Sequence, residues 1–232
     1  MKTIGIIGGM SWESSATYYR LINEKVRDQL GGLHSAQCIL YSVDFADVEE
    51  WQKKGEWWEA GDALWYAARS LELAGADFII LATNTMHKVV DIIEQRITVP
   101  ILHIADATVN AIKRKNIGRV GLLGTKYTME QDFYTGRVEE QDVEVVVPDE
   151  SARDKVNDII FSELVLGDIK DESKEYYLKV IDQLIAEGAE GIILGCTEIG
   201  SLINQSDVSV PIFDTTEIHT EEAVREAFVE EE

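Results

Sequence analysis

Only two cysteines, Cys38 and Cys196, occur in the 232 residues, too few to build a disulfide framework. Basic side chains are also scarce: 21 Lys and Arg stand against 43 Asp and Glu, leaving a formal net charge of −22. A surface for nucleic-acid phosphates or anionic lipid is therefore not expected, because those contacts need positive charge. The acidity does not bar an anionic small molecule, since nearby donors outweigh a screened global field. Long apolar runs are missing too. The opening MKTIGIIGGM carries three glycines and is too short for a secretory core. No stretch approaches the roughly 20 apolar residues of a membrane helix. These absences predict a cytoplasmic protein with no nucleic-acid or membrane partner. The histidines (His34, His87, His103, His219) form no HxxxH pattern and the cysteines no CxxC pattern, so no metal site is expected. His87 and His103 read as packing or supporting groups. No P-loop and no GxSxG elbow is found.

What is present is the makeup of a soluble globular chain, 45% hydrophobic and 28% charged. IGIIGG (4–9), ILYSVDF (39–45), DFIILAT (77–83) and PILHIA (100–105) read as buried strands, with helical spacing over 14–30, 57–74 and 86–95. The second half repeats the pattern. Strands are expected at 118–125, 142–148, 190–197 and 210–215, and helices near 128–140, 151–165, 172–187 and 216–228. Three landmark pairs keep nearly constant spacing: Gly8 to Gly124 is 116 residues, Thr83 to Cys196 is 113, and Pro100 to Pro211 is 111. The chain thus reads as a duplicated α/β unit. It comprises two pseudo-symmetric lobes, each a parallel sheet flanked by helices, with a site expected in the cleft between them. The expected lobes are 1–107 plus 214–232, and 108–213. The closing helix is expected to pack back on the first lobe. The acidic residues at the end of the sequence read as a solvated tail.

In such folds chemistry gathers where strands end and helices begin. GIIGGM fails the GxGxxG pattern and no acidic residue is placed for a ribose, which excludes a dinucleotide site. What remains is a glycine turn that presents backbone amides around Met10 and the Ser11 hydroxyl at a helix start. This arrangement suits a carboxylate, and Ser11 can equally serve as a helix cap. Thr125 and Thr128, with Lys126 between them, form its counterpart. The other two strand ends bring Thr83, Asn84 and Thr85, and Cys196, Thr197 and Glu198. Small polar donors around one point fit recognition of a zwitterion or dicarboxylate. Cys38 lies in an apolar run and reads as an inert core thiol, whereas Cys196 follows a strand and reads as functional. Trp51, Trp57, Trp58 and Trp65 fall in one amphipathic segment, read as a subunit interface and hence a homodimer.

GGMS (8–11), TNTMH (83–87), VPILHI (99–104), LLGT (122–125) and GCTEI (195–199) resemble, in order, the motifs of the aspartate/glutamate racemase superfamily. The resemblance spans essentially the whole chain. It implies two related lobes and cofactor-free inversion of a small amino acid by one cysteine from each lobe. Cys196 matches the second of these cysteines; Thr83 stands where the first should be. Glu198 resembles the aspartate-racemase branch. The resemblance implies racemisation of aspartate or glutamate, with Cys196 and Thr83 as catalytic groups. Substrate binding falls to Met10, Ser11, Asn84, Thr85, Thr125, Thr128 and Thr197. Two alternatives stay open: a single-cysteine decarboxylase of the arylmalonate type, and an amino-acid binder with little turnover.

Overall fold

Ile4–Gly8 forms strand β1 and is buried at every position, as befits the middle strand of a parallel sheet. In the computed structural model, which describes residues 1–229, the chain divides into two compact units. Unit 1 is Met1–Ile104 with the segment from His219 onward, and unit 2 is Ala105–Ile218. The acidic tail read from the sequence lies outside the described residues from residue 230.

In unit 1, β1 leads into α1 (Trp12–Leu30), which starts on the Ser11 hydroxyl and stops at Gly31. Strand β2 (Cys38–Ser42) precedes α2 (Phe45–Lys54), whose first turn is capped by the Asp44 carboxylate accepting from the Ala46 amide. Next come α3 (Trp57–Leu73), β3 (Phe78–Leu81), a 3-10 turn Thr85–Val89 and α4 (Val90–Glu94). The strands are parallel in the order β2-β1-β3. Alternation along β1 sorts its side chains between two layers. Ile7 joins Leu64, Leu71, Leu81 and Ile93 on one face. Ile4 and Ile6 join Tyr18, Ile22, Ala223, Val224 and Ala227 on the other. Leu64 and Leu71 are at most 1% exposed, and each such burial contributes about 1.5–3 kcal/mol.

Unit 2 begins within α5 (Ile104–Arg114) and continues through β4 (Arg119–Gly124), the short helices α6 (Lys126–Glu130) and α7 (Thr135–Glu139), and β5 (Glu144–Val146). Then follow α8 (Glu150–Ser162), α9 (Asp171–Ala186), β6 (Ile192–Gly195) and β7 (Ile212–Asp214), and α10 (Thr215–Ala227) begins in unit 2 and belongs to unit 1 from His219. Its sheet is parallel in the order β5-β4-β6-β7.

The duplication is visible in these orders. β2-β1-β3 repeats β5-β4-β6, and Ile101, bridged to Ile79, holds the place of Ile212 beside Ile192. The expected strand 100–105 is nevertheless corrected to that single bridge, because Ile104 already starts α5. The expected strand 39–45 ends at Ser42, since Asp44 turns the chain into α2. The expected helix 128–140 is broken into α6 and α7, and 86–95 opens as a 3-10 turn. Trp51, Trp57 and Trp65 pack against the unit 1 core, and Trp57 and Trp65 lie under Lys88 and Arg96. Trp58 is exposed. Among the described residues no helix is long and apolar enough to cross a membrane.

Candidate active site

Each unit carries a hydroxyl pair at the start of the helix that follows its first strand. In unit 1 the Ser11 hydroxyl accepts from the Ser14 amide at 3.2 Å and lies 3.2 Å from the Ser14 hydroxyl. In unit 2 the Thr125 hydroxyl accepts from the Thr128 amide at 3.3 Å and lies 3.1 Å from the Thr128 hydroxyl. Both pairs are buried. The expected helix cap at Ser11 is thus present, and Thr125 repeats it. Met10, beside Ser11, is buried as well. The approach to Ser11 depends on Gly9, whose φ is 93° and whose absent Cβ would collide with the Val43 carbonyl. Only glycine fits that turn. The Gly9 amide donates to the Ser15 hydroxyl at 2.7 Å, which in turn donates to the Ser11 carbonyl at 2.9 Å. Lys126 does not stand free: its ammonium pairs with Asp154 at 2.5 Å.

Thr83, Asn84 and Thr85 leave β3 together and are buried, none more than 9% exposed. The Thr83 carbonyl accepts from His87 Nδ1 at 2.8 Å, and His87 Nε2 accepts from the Ile104 amide at 3.3 Å. The structure thus gathers three of the four histidines, which are scattered in sequence. The His87 ring lies 4.5 Å from His103 and 5.8 Å from His219, centroid to centroid, with edges toward faces. Burial, reinforced by His103 and His219, holds the His87 imidazole well below its ordinary range. Among the described residues no group of three ligand-type side chains is arranged to hold a metal.

In unit 2, β6 ends in Gly195 and delivers Cys196, which is 9% exposed. Its thiol donates to Glu198 Oε2 at 3.0 Å, and the Thr197 hydroxyl donates to the same oxygen at 2.6 Å. Burial pushes the Cys196 thiol well up, and the Glu198 charge and hydrogen bond, together with Asp214, push the same way. Cys196 therefore rests as a thiol. Cys38 opens β2, half-buried, where burial pushes its thiol up and away from reactivity.

The structure thus assembles Met10 and Ser11, and Thr83, Asn84 and Thr85, at the strand ends of unit 1. It assembles Thr125 and Thr128, and Cys196 and Thr197, at those of unit 2. Glu198, a branch marker in the sequence, is the direct partner of Cys196. No sequence spacing singled out His87 as a brace for Thr83; its only signal was its place four residues after Thr83 in a strand-to-helix turn.

Strand-end hydroxyls and a buried thiol on duplicated parallel α/β units are the architecture of the racemase fold. The chain belongs to the Asp/Glu/hydantoin racemase family, which it matches over residues 7–223. It is 55% identical to a candidate Asp/Glu racemase from Yersinia pestis, with a TM-score of 0.94 over 99% of this chain and 100% of that one. An aspartate racemase homologue from Pyrococcus horikoshii OT3 is 40% identical, with a TM-score of 0.86 over 98% of this chain and 99% of that one. The broad-specificity amino-acid racemase RacX of Bacillus subtilis is 25% identical over 227 residues, 92% of each chain.

Proposed function

We propose that this protein racemises an acidic amino acid, aspartate or glutamate, without a cofactor. Cys196 is the principal acid–base group and Thr83 serves the opposite face of the α carbon. The observation that carries this reading is the thiol of Cys196, buried at a strand end and hydrogen-bonded to the Glu198 carboxylate. Such a pair can both give and take a proton. Membership of the racemase family supports it.

The chemistry follows from the resting thiol. On substrate binding, the α-ammonium brings positive charge to a site where carboxylates had disfavoured the thiolate, and so eases its formation. The S–H bond breaks, its proton passes to Glu198, and the electron pair stays on sulfur. The thiolate then takes the α-hydrogen, and the pair left on carbon spreads into the substrate carboxylate. Ser11, Thr125 and Thr128, with Asn84, Thr85, Thr197 and the Met10 backbone, are the donors assigned to the substrate carboxylates. Fixed dipoles of this kind stabilise charge as it develops in the transition state. A proton returned from the thiol regenerates the starting enantiomer. One delivered by a water on the Thr83 side gives the mirror image; the hydroxide left behind regains a proton from bulk solvent, and Glu198 gives its proton back to bulk solvent, so both groups return to their starting states. A threonine hydroxyl is too weak an acid to exist as an alkoxide at neutral pH, so exchange of the α-hydrogen with solvent is faster for the enantiomer whose α-hydrogen meets Cys196.

The test is incubation of L- and D-aspartate and of L- and D-glutamate in deuterium oxide, following α-deuteration by NMR and chirality by chromatography. Exchange should favour one enantiomer, vanish in Cys196→Ser, and speed up for the other enantiomer in Thr83→Cys. Absence of α-exchange with all four, or full exchange in Cys196→Ser, would refute the proposal.

A further inference from the structure

His87 uses both ring nitrogens. Nδ1 lies 2.8 Å from the Thr83 carbonyl, an acceptor, so it must carry hydrogen; Nε2 lies 3.3 Å from the Ile104 amide, a donor, so it must present its lone pair. Only the neutral Nδ1–H tautomer meets both demands. A proton added at Nε2 would set N–H against N–H. His219 carries its hydrogen on Nε2, which faces a carbonyl, while its Nδ1 faces a hydroxyl that can donate or accept. Its Nε2 lies 2.9 Å from the Leu102 carbonyl, and its Nδ1 lies 2.9 Å from the Tyr18 hydroxyl. The titratable groups facing His87 are the rings of His103 and His219, with Tyr18 behind the latter. Neither histidine ring favours added positive charge on His87. Thr83 in turn is the residue whose carbonyl the ring holds and whose hydroxyl the proposed reaction uses.

From this geometry we infer that His87 is a positioning residue for the Thr83 side of the reaction: a neutral imidazole that ties the Thr83 carbonyl to the Ile104 amide and so sets where the Thr83 hydroxyl and the Asn84–Thr85 turn stand. The role rests on the racemase reading. It is selective because the ring is hydrogen-bonded to the Thr83 turn and to Ile104, within unit 1. A shift of about 1 Å in a reacting group can cost up to roughly a hundredfold in rate.

The first experiment needs no turnover. Nitrogen-15 NMR of histidine-labelled protein should show His87 as neutral Nδ1–H at pH 6; a charged ring or the Nε2–H tautomer there would overturn the inference. The second compares α-deuteration of the two enantiomers in His87→Leu and His87→Asn. Asparagine keeps a donor near the Nδ1 position. The ratio of the two exchange rates should change by at least about tenfold in His87→Leu and return part of the way in His87→Asn. Equal loss for both enantiomers, or an unmoved ratio, would reduce His87 to a packing residue and overturn the inference. If His87→Leu does not fold, His87→Asn and the NMR measurement decide. A wild-type protein with no α-exchange would sink the racemase reading, while the NMR arm would still report on the brace.

Discussion

Acidification should unfold unit 1 through its buried histidines before most carboxylates matter, and His219 sets the scale. Its ring is fully buried and tied to Tyr18 and Leu102, and burial holds its pKa down at about 4. In the unfolded chain an imidazole titrates near ~6.5. The unfolded state therefore takes up the proton first, and protons favour unfolding. The stabilisation is complete above about pH 6.5 and is lost as pH falls to about 4. A shift of that size corresponds to about 3 kcal/mol, with a slope of at most ~1.4 kcal/mol per pH unit. That is a large part of a typical stability of about 5–15 kcal/mol. His87, lowered for the same reason, adds in the same direction. Glu72, held at about 2 chiefly by Thr98, loses its contribution in a lower window, below about pH 4.5. Urea unfolding of wild type and His219→Gln at half-unit steps from pH 7.5 to 4.5 isolates the proton, because the other carboxylates are common to both. The stability difference should shrink with falling pH at roughly one proton's slope near pH 5. Parallel curves across the window, or an NMR titration of His219 near 6.5, would refute the reasoning.

Glu198→Gln removes a charge 3.0 Å from the Cys196 sulfur. The thiolate, followed by its ultraviolet absorbance in a Cys38→Ala background, should then form at lower pH than in the Cys38→Ala protein, because the Glu198 charge that opposes it is gone. Exchange at neutral pH should slow, because glutamine cannot take the proton. An unchanged thiol titration would remove Glu198 from the reaction. Gly9→Ala forces a side chain into φ 93° and against the Val43 carbonyl, so it should cost more than about 1 kcal/mol in urea unfolding. A neutral result would mean that the turn is free to move.

Much of the architecture was legible because the sheet centres are unambiguous. Ile4–Gly8, Phe78–Leu81 and Ile192–Gly195 are short, apolar and buried at every position. The duplicated order also followed from recurring turns at Gly8 and Gly124. The misreadings fall where two signals share one stretch. PILHIA has the composition of a strand, but Ile104, Ala105, Thr108, Val109 and Ile112 are all buried at helical spacing, and the helix prevails from Ile104 onward. In SVDF, Asp44 was absorbed into the strand although its carboxylate caps the next helix. At the site, strand ends pointed to Ser11, Asn84, Thr125 and Cys196 by position alone. The roles of Glu198 and His87 needed distances, since neither spacing nor composition says which oxygen holds a thiol or which ring braces a carbonyl.

The departure from internal symmetry is wider than Thr83 alone. Carried across by the 113-residue repeat, Thr83, Asn84 and Thr85 stand against Cys196, Thr197 and Glu198. The second half thus supplies both a thiol and a carboxylate hydrogen-bonded to it, while the first supplies neither. Burial and Glu198 keep the Cys196 proton in place, so in the proposed reaction this residue is an acid at rest and a base only after Glu198 has taken that proton. On the proposed reaction, α-hydrogen exchange of the two enantiomers then differs in its first step. For one enantiomer the thiol must first be deprotonated; for the other, the thiol donates directly but the α-hydrogen must leave on a face served only by a hydroxyl. Thr83→Cys repairs the second limitation and leaves the first untouched, whereas Glu198→Gln affects the first. The double variant therefore separates the two halves of the mechanism. If Glu198 serves Cys196 alone, the gain in α-exchange from Thr83→Cys, for the enantiomer whose α-hydrogen faces residue 83, persists in the Glu198→Gln background.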